Sequence, residues 1–235
     1  PVLDPALHVG VWEVAVGRVR LYLMDPDLEV NRPWDRKITS RLYVSDTEQR
    51  LRQQILLGMG GMRVLASLGI EPGVLHLNEG HPWLALLERA RPLIEAGASL
   101  GEALDEVGRT TVFTTHTPVP AGVDVFPYNL TERYFDSFLS DLGVDREAFF
   151  ELGNNPQAPD AGFNTTVFAL RVAHHRNAVS ERHGEVAREM WAHLWPKAER
   201  VPIADVTNGV HLPGWISAGR LQPVFDEYLD PTWVD

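Results

Sequence analysis

Apolar and polar positions along this 235-residue chain change their period from two to about 3.6, which predicts strands followed by helices. Residues 9–24 alternate with period two around a turn at residues 17–18, as in a β-hairpin. From Ser45 onward, apolar side chains recur at helical spacing. Glu48 stands three residues after Ser45, as in a capping box, and Gly69 is suited to end the helix.

Strands and helices are predicted to alternate through the rest of the chain. Strands are expected at 73–77, 111–115 and 201–206, with a further strand-like run at 177–179. The predicted helices are 82–96 (beginning at Pro82), 100–108 (with a capping box of Ser99 and Glu102), 130–142, 145–152, 164–175 and 181–194. This alternation is typical of parallel β-α-β units, so the fold class is predicted to be α/β.

Polar residues gather where the four apolar runs stop. They are Asn78-Glu79-Gly80-His81, Thr115-His116-Thr117-Pro118, Ser180-Glu181-Arg182-His183-Gly184 and Thr207-Asn208-Gly209-Val210-His211. In an open α/β sheet, ligands bind outside the carboxyl ends of the strands, so these side chains are candidates for one site. Most are neutral hydrogen-bonding groups, which suits a polyhydroxylated ligand such as a sugar.

Composition narrows the possible partners. The net charge is −11, which argues against a nucleic acid or an anionic membrane surface as partner. The chain has no cysteine, which excludes disulfides and thiolate metal sites and fits a reducing compartment. No run approaches the roughly 20 apolar residues of a membrane-spanning helix. We expect a cytoplasmic protein and, since no initiator Met or signal sequence is present, an excised or processed piece.

Six segments resemble, in the same order, the α-glucan phosphorylases, and specifically the shorter bacterial branch of the glycogen and maltodextrin phosphorylase family. They are 35–43, 76–81, 112–122, 163–166, 179–186 and 206–211. The resemblance implies a GT-B fold, in which two Rossmann-like domains face each other across a cleft. It also implies cleavage of the terminal α-1,4 bond of a glucan by inorganic phosphate, which releases glucose 1-phosphate with retained configuration.

The same resemblance indicates which part of such an enzyme this is. Residues 1–205 match the latter part of the N-terminal glucan-cleft domain, and 206–235 cross into a missing C-terminal domain. In the family, that second domain carries pyridoxal phosphate on a lysine. Only Lys37 and Lys197 occur here, neither in a segment that resembles the lysine's. We therefore expect the cofactor lysine to lie outside this chain and the piece alone to be inactive.

The resemblance assigns three sugar-site residues. His116 resembles the histidine whose ring bonds the glucose 6-hydroxyl and whose backbone carbonyl lies near the anomeric carbon. The alternative is a strand-end histidine that bonds loop backbone. Asn208 resembles an asparagine that bonds glucose hydroxyls, although Asn-Gly is also a strong turn signal. Glu79 takes the acidic position of an Asn-Asp/Glu-x-His motif and would orient sugar contacts or the loop that bears His81, with a structural or supporting role favoured. Asn78 and His81 are left open between capping the next helix and lining the site.

Several other features are interpreted structurally. His174, His175 and His183, with Asn177, lack the spacing of a zinc site, so a solvated helix end or interdomain packing is expected. Gly58–Gly61 falls inside a helix, which favours close packing over a nucleotide loop. Most of the tryptophans are expected to be core or interface anchors: Trp12, Trp83, Trp191, Trp195 and Trp215. Two alternative functions remain open: a GT-B transferase that uses a nucleotide sugar, and a non-catalytic α-glucan-binding module.

Overall fold

A parallel four-stranded sheet forms the centre of the fold in a computed structural model that describes residues 2–3, 6–42, 44–211 and 221–229. Its strands are β3 (Leu75–Asn78), β4 (Thr111–Thr115), β7 (His175–Ala178) and β8 (Ala204–Asp205), in the order β3-β4-β7-β8. An antiparallel hairpin of β1 (Gly10–Val16) and β2 (Val19–Asp25) precedes it, and β5 (Val125–Phe126) pairs with β6 (Phe163–Asn164). The α/β class and a Rossmann-like parallel sheet are thereby confirmed.

Nine α-helices can be delimited in the described part of the chain. They are α1 (Thr47–Ile55), α2 (Gly61–Ser67), α3 (Leu84–Glu95), α4 (Leu100–Arg109), α5 (Tyr128–Asp141), α6 (Arg146–Gly153), α7 (Thr165–Val172), α8 (Glu181–Trp191) and α9 (Gln222–Tyr228). A π-helical turn, Leu56–Gly60, joins α1 to α2. The predicted helix after Ser45 is therefore one long element with a local widening, and Gly69 follows its end with φ +70°.

Most predicted elements are present, with informative corrections at their ends. The Ser99–Glu102 capping box is confirmed. The cap of α1 is Asp46, whose side chain accepts from the Gln49 backbone N–H at 2.6 Å, so the predicted cap at Ser45 is wrong by one residue. The predicted strand 201–206 is reduced to Ala204–Asp205. The predicted helix 164–175 ends at Val172, because β7 begins three residues later.

An aromatic cluster packs the helices together beside the sheet. Trp83 is fully buried at the start of α3. Its ring lies 4.8 to 6.3 Å, between centroids, from four phenylalanine rings contributed by α5, α6, β6 and α7: Phe135, Phe149, Phe163 and Phe168. Each such residue buries a large apolar area, so this cluster dominates the core. Trp83 and Trp191 are core residues as expected, whereas Trp12 is 64% exposed and Trp215 lies outside the described residues.

Gly58 lets the π-helical turn approach α3 closely. A Cβ atom on Gly58 would lie 2.8 Å from the Leu84 Cβ and from the Ala85 backbone nitrogen. The predicted role of this glycine-rich segment in close helix packing is therefore confirmed.

We expect Gly58→Ala to lower the free energy of unfolding by about 1–3 kcal/mol, because the added methyl group overlaps the α3 backbone. Gly61→Ala is the matched control, since its Cβ would meet the Met24 Cε at an ordinary 3.8 Å. The control should be neutral or stabilising by up to about 1 kcal/mol through helix propensity. Urea denaturation of both variants is the measurement, and equal effects would contradict the packing account.

Candidate functional site

The carboxyl ends of β3 and β4 meet at one cavity. Asn78 lies opposite Thr114 in the parallel register, so the residues that follow both strands are neighbours. The cavity has a volume of about 460 Å³ and combines residues from both strand ends with residues from α1 and from the loop after β4. Its lining consists of Val44, Arg50, Asn78, Glu79, His81, His116, Thr117, Gly122 and Asp124. The structure thus brings together Glu79 and His116, two of the three predicted sugar-site residues.

Glu79 joins the two strand ends. Its backbone N–H donates to the Thr114 carbonyl at 2.9 Å, and its φ of +64° then turns the chain out of the strand. The buried carboxylate accepts hydrogen bonds from the backbone N–H groups of His116 and Thr117, the latter at 2.7 Å. Hydrogen bonds to an ionised acceptor are stronger than neutral ones. Glu79 therefore positions the backbone on both sides of the His116 carbonyl.

The His116 ring is exposed to the cavity and has one hydrogen-bonded nitrogen. Its Nε2 lies 2.8 Å from the Asn78 Oδ1. Because an amide oxygen only accepts, Nε2 carries the hydrogen and Nδ1 of the neutral ring remains an acceptor. The capping interpretation of Asn78 and His81 is wrong, because α3 has no side-chain cap. Both side chains line the cavity instead.

A second carboxylate, Asp124, holds the far end of the same loop. Its Oδ2 accepts from the Arg50 Nη2 at 3.0 Å and from the Gln54 Nε2 at 2.6 Å, and it lies 3.1 Å from the His81 Nδ1. Burial alone would raise the pKa of Asp124, but hydrogen bonds from His81 and Arg50 outweigh it and lower the pKa below its usual value. Asp124 is therefore an ionised anchor at neutral pH.

Arg50, Gln54 and Asp124 were not singled out by the sequence. Arg50 and Asp124 are 74 residues apart in the chain, and His81 and Asp124 are 43 apart. No local spacing signals such a pairing. The one available signal was that Asp124 follows His116 in the same Pro-rich loop.

Asn208 lies at the same edge of the sheet but outside this cavity. Its backbone N–H donates to the Val179 carbonyl at 3.0 Å, which joins the ends of β8 and β7. Its side chain is exposed, and β7 separates β8 from β4 in the sheet. The Asn208 backbone therefore helps to hold the loop that follows β8, while the role of its side chain toward a sugar stays a prediction.

The histidines after α7 have separate partners. The His174 Nε2 pairs with the Asp105 carboxylate at 3.1 Å, and the His175 Nε2 lies 3.1 Å from the Arg109 carbonyl. Asn177 instead accepts from the Thr114 hydroxyl at 2.8 Å. Across the described ranges, no three or more His, Asp or Glu side chains are grouped as a metal site would require.

The segment at residues 35–43, one of the six that resemble the phosphorylases, is joined to α1. Asp35 forms a largely buried ion pair with Arg52 of α1, and Tyr43 of the same segment lies outside the described residues.

Within the part of the chain that the structure describes, none of the helices has the length and apolar character needed to cross a bilayer.

The fold and the cavity define a Rossmann-like domain with a polar site at the carboxyl edge of its sheet. The sequence is 44% identical over 235 residues to a glycogen phosphorylase of Aquifex aeolicus and 42% identical over 237 residues to a maltodextrin phosphorylase of Thermococcus litoralis. Both matches include 100% of this chain. A glycogen phosphorylase of Mycobacterium tuberculosis is 41% identical over 93% of the chain. No family model matches the chain.

The chain is thus a relative of the α-glucan phosphorylases along its whole length, which confirms the predicted resemblance. It spans 34% of the Aquifex protein, 28% of the Thermococcus protein and 27% of the Mycobacterium protein. It therefore corresponds to one part of those proteins. The predicted boundary at residues 205–206 and the second GT-B domain stay predictions.

We expect Glu79→Gln to weaken both hydrogen bonds to the loop after β4, because the acceptor loses its charge. The amide proton resonances of His116 and Thr117 should move upfield in the variant, and the free energy of unfolding should fall by about 1–3 kcal/mol. Two-dimensional NMR of the ¹⁵N-labelled chain measures the shifts, with Glu95→Gln on the exposed end of α3 as control. Unchanged His116 and Thr117 resonances would show that Glu79 does not hold this loop.

Asp124→Asn should destabilise the chain in a pH-dependent manner. A carboxyl group whose folded pKa is lowered contributes stability above its unfolded pKa, and that stability is lost as pH falls through the folded pKa. We expect the variant to unfold about 1–3 kcal/mol more easily at pH 7. The difference should shrink progressively below about pH 4, the usual aspartate range. Denaturation at several pH values measures it, and a difference that does not vary with pH would be evidence against an ionised anchor.

Proposed function

We propose that this chain is the glucan-cleft part of an α-1,4-glucan phosphorylase. The complete enzyme would cleave the terminal α-1,4 bond of a glucan or maltodextrin with inorganic phosphate and release glucose 1-phosphate with retained configuration. The observation that carries this proposal is the similarity, over the whole chain, to proteins named glycogen and maltodextrin phosphorylase. The polar cavity at the ends of β3 and β4 supports it, since amide, imidazole and guanidinium groups suit sugar hydroxyls.

In this proposal, His116 contacts the glucose unit that is transferred. Its free Nδ1 would accept the 6-hydroxyl hydrogen, and its backbone carbonyl would face the anomeric carbon. A carbonyl dipole fixed in that direction favours the positive charge that develops there in an oxocarbenium-like transition state. Glu79 is a positioning residue, because its carboxylate holds the N–H groups of His116 and Thr117. Asn208 would bond the glucose hydroxyls from the end of β8.

The residues of this chain do not fit a site for pyridoxal phosphate. Lys37 and Lys197 are its two lysines, both are exposed, and neither lines the cavity. We therefore propose that another part of the complete enzyme holds this cofactor and that the present chain alone is inactive. We also propose that the enzyme is cytoplasmic, because a chain without cysteine fits a reducing compartment.

In the complete enzyme, His116→Ala should lower kcat about 100-fold while the absorbance of bound pyridoxal phosphate is unchanged, because one preorganised transition-state contact is lost. Asn208→Ala should raise the KM for glucose 1-phosphate about tenfold in the direction of glucan synthesis, as expected for a lost substrate hydrogen bond.

His174→Ala is the matched control, because this ring pairs with Asp105 and does not line the cavity. Its kinetics should be those of the unsubstituted enzyme. Normal turnover in His116→Ala would refute the assigned role of His116. Unfolding of Asn208→Ala, in place of a KM effect, would leave Asn208 as a turn residue only.

A further inference from the structure

The loop after β8 contains the one Asn-Gly pair of the sequence, Asn208-Gly209. Both residues are exposed, and neither belongs to a helix or a strand. A Cβ atom placed on Gly209 would meet no heavy atom of the described chain within 4 Å, and the φ angle of Gly209 is not positive. The backbone nitrogen of Gly209 is therefore open to approach by the Asn208 side chain.

The backbone N–H that follows Asn208 differs from those that follow the other exposed asparagines in the described part of the chain, Asn78 and Asn129. After both of these, the next N–H donates to a backbone carbonyl, at 2.9 Å from Glu79 to Thr114 and at 3.0 Å from Leu130 to Pro127. The Gly209 N–H has no acceptor within the ranges that the structure describes. Its nitrogen is therefore not held in place by a described hydrogen bond.

The Asn208 side chain is also free to turn toward that nitrogen. Its backbone N–H is anchored to the Val179 carbonyl at 3.0 Å, but its side-chain amide has no partner among the residues described. Asn177 is the contrasting case, since its amide accepts from the Thr114 hydroxyl at 2.8 Å and donates to the Ala178 carbonyl at 3.2 Å. The Asn177 amide would have to break both bonds before it could approach the next backbone nitrogen.

An asparagine in this setting can react with the backbone of the residue that follows it. The Gly209 nitrogen forms a bond to the Asn208 Cγ, its proton passes to the side-chain nitrogen, and the Cγ–Nδ2 bond breaks to release ammonia. The product is a cyclic succinimide, which water then opens. Attack of water on Cγ gives aspartate, and attack on the backbone carbonyl carbon gives isoaspartate. Glycine favours the ring closure, because it has no Cβ atom to obstruct its nitrogen.

We propose that Asn208 is a site of spontaneous deamidation and that a bound glucose unit protects it. The protection rests on the proposed contact between Asn208 and the sugar, whereas the deamidation does not. An amide offers two N–H donors and an acceptor, but the carboxylate that replaces it only accepts. Isoaspartate in addition lengthens the backbone by one atom. Both products therefore remove the hydrogen-bond donors that Asn208 would direct at glucose.

Peptide mass spectrometry of the complete enzyme, sampled during incubation, measures the conversion of each asparagine to its acid. We expect Asn208 to convert at least about tenfold faster than Asn78 or Asn129, because Gly209 has neither a Cβ atom nor a described partner for its N–H. The rate should increase with pH, since the deprotonated backbone nitrogen is the nucleophile. Equal conversion at the three asparagines would overturn the proposal.

Gly209→Ala tests the route at the same asparagine. The methyl group would enter open space, so the loop should keep its conformation. Conversion of Asn208 should nevertheless slow at least about tenfold, because the Cβ atom crowds the attacking nitrogen. Unchanged conversion would indicate direct hydrolysis of the amide and would contradict the cyclic route.

Glucose 1-phosphate distinguishes failure of this proposal from failure of the proposed function. At about ten times its KM, it should slow conversion of Asn208 about fivefold, because most of the enzyme is then occupied, and leave Asn129 unaffected. Conversion without protection would uphold the deamidation site and refute the sugar contact. No conversion, together with the expected KM effect of Asn208→Ala, would overturn the deamidation and leave the proposed function in place.

Discussion

The hydrogen bonds from the His116 and Thr117 backbone to the Glu79 carboxylate are the constraint on which the site depends. They tie the residue after β3 to the residues after β4. Glu79 adopts a left-handed backbone conformation with φ +64°, which costs roughly 1–2 kcal/mol for a residue with a Cβ atom. Two hydrogen bonds to an ionised acceptor offset that cost. Gly80 completes the turn, because a Cβ there would lie 2.7 Å from the Thr165 hydroxyl at the start of α7.

Asp124 fixes the other end of the loop that follows β4. Arg50 and Gln54 bond its carboxylate from α1, while its backbone carbonyl accepts from the Thr165 N–H at 3.2 Å. The loop that carries His116 is therefore anchored at both ends by ionised carboxylates. Groups that are held in this way need little reorganisation when a charge develops nearby. The same engagement makes Glu79 and Asp124 poor candidates for the acid and base of a hydrolase, which supports a reaction that needs no carboxylate pair.

Much of the fold could be predicted because its signals are local. The hairpin around residues 17–18, the strand 111–115 and the capping box at Ser99 each depend on residues close together in the chain. The cap of α1 was misplaced by one residue, since Ser45 and Asp46 are both good capping residues and only the backbone decides between them. The short pair β5–β6 was missed, because two-residue strands have no detectable period.

The candidate site was predictable only in part, for the same physical reason. The strand-end pattern and the family resemblance identified Glu79 and His116, which follow adjacent strands. The anchor formed by Arg50, His81 and Asp124 depends on contacts across 43 and 74 residues of sequence, which no spacing rule reports. The order of the strands in the sheet likewise depends on contacts between distant segments, so it could not be predicted from the sequence alone.

We propose that this chain forms the sugar-binding wall of a glucan phosphorylase. The most direct measurement is to incubate the native protein with a linear maltodextrin and inorganic phosphate, and to identify the product together with the intact mass of the protein. The account predicts α-glucose 1-phosphate from a protein well above the 26.3 kDa of this chain. Free glucose as the product, or glucan binding without any phosphate-dependent release, would contradict it.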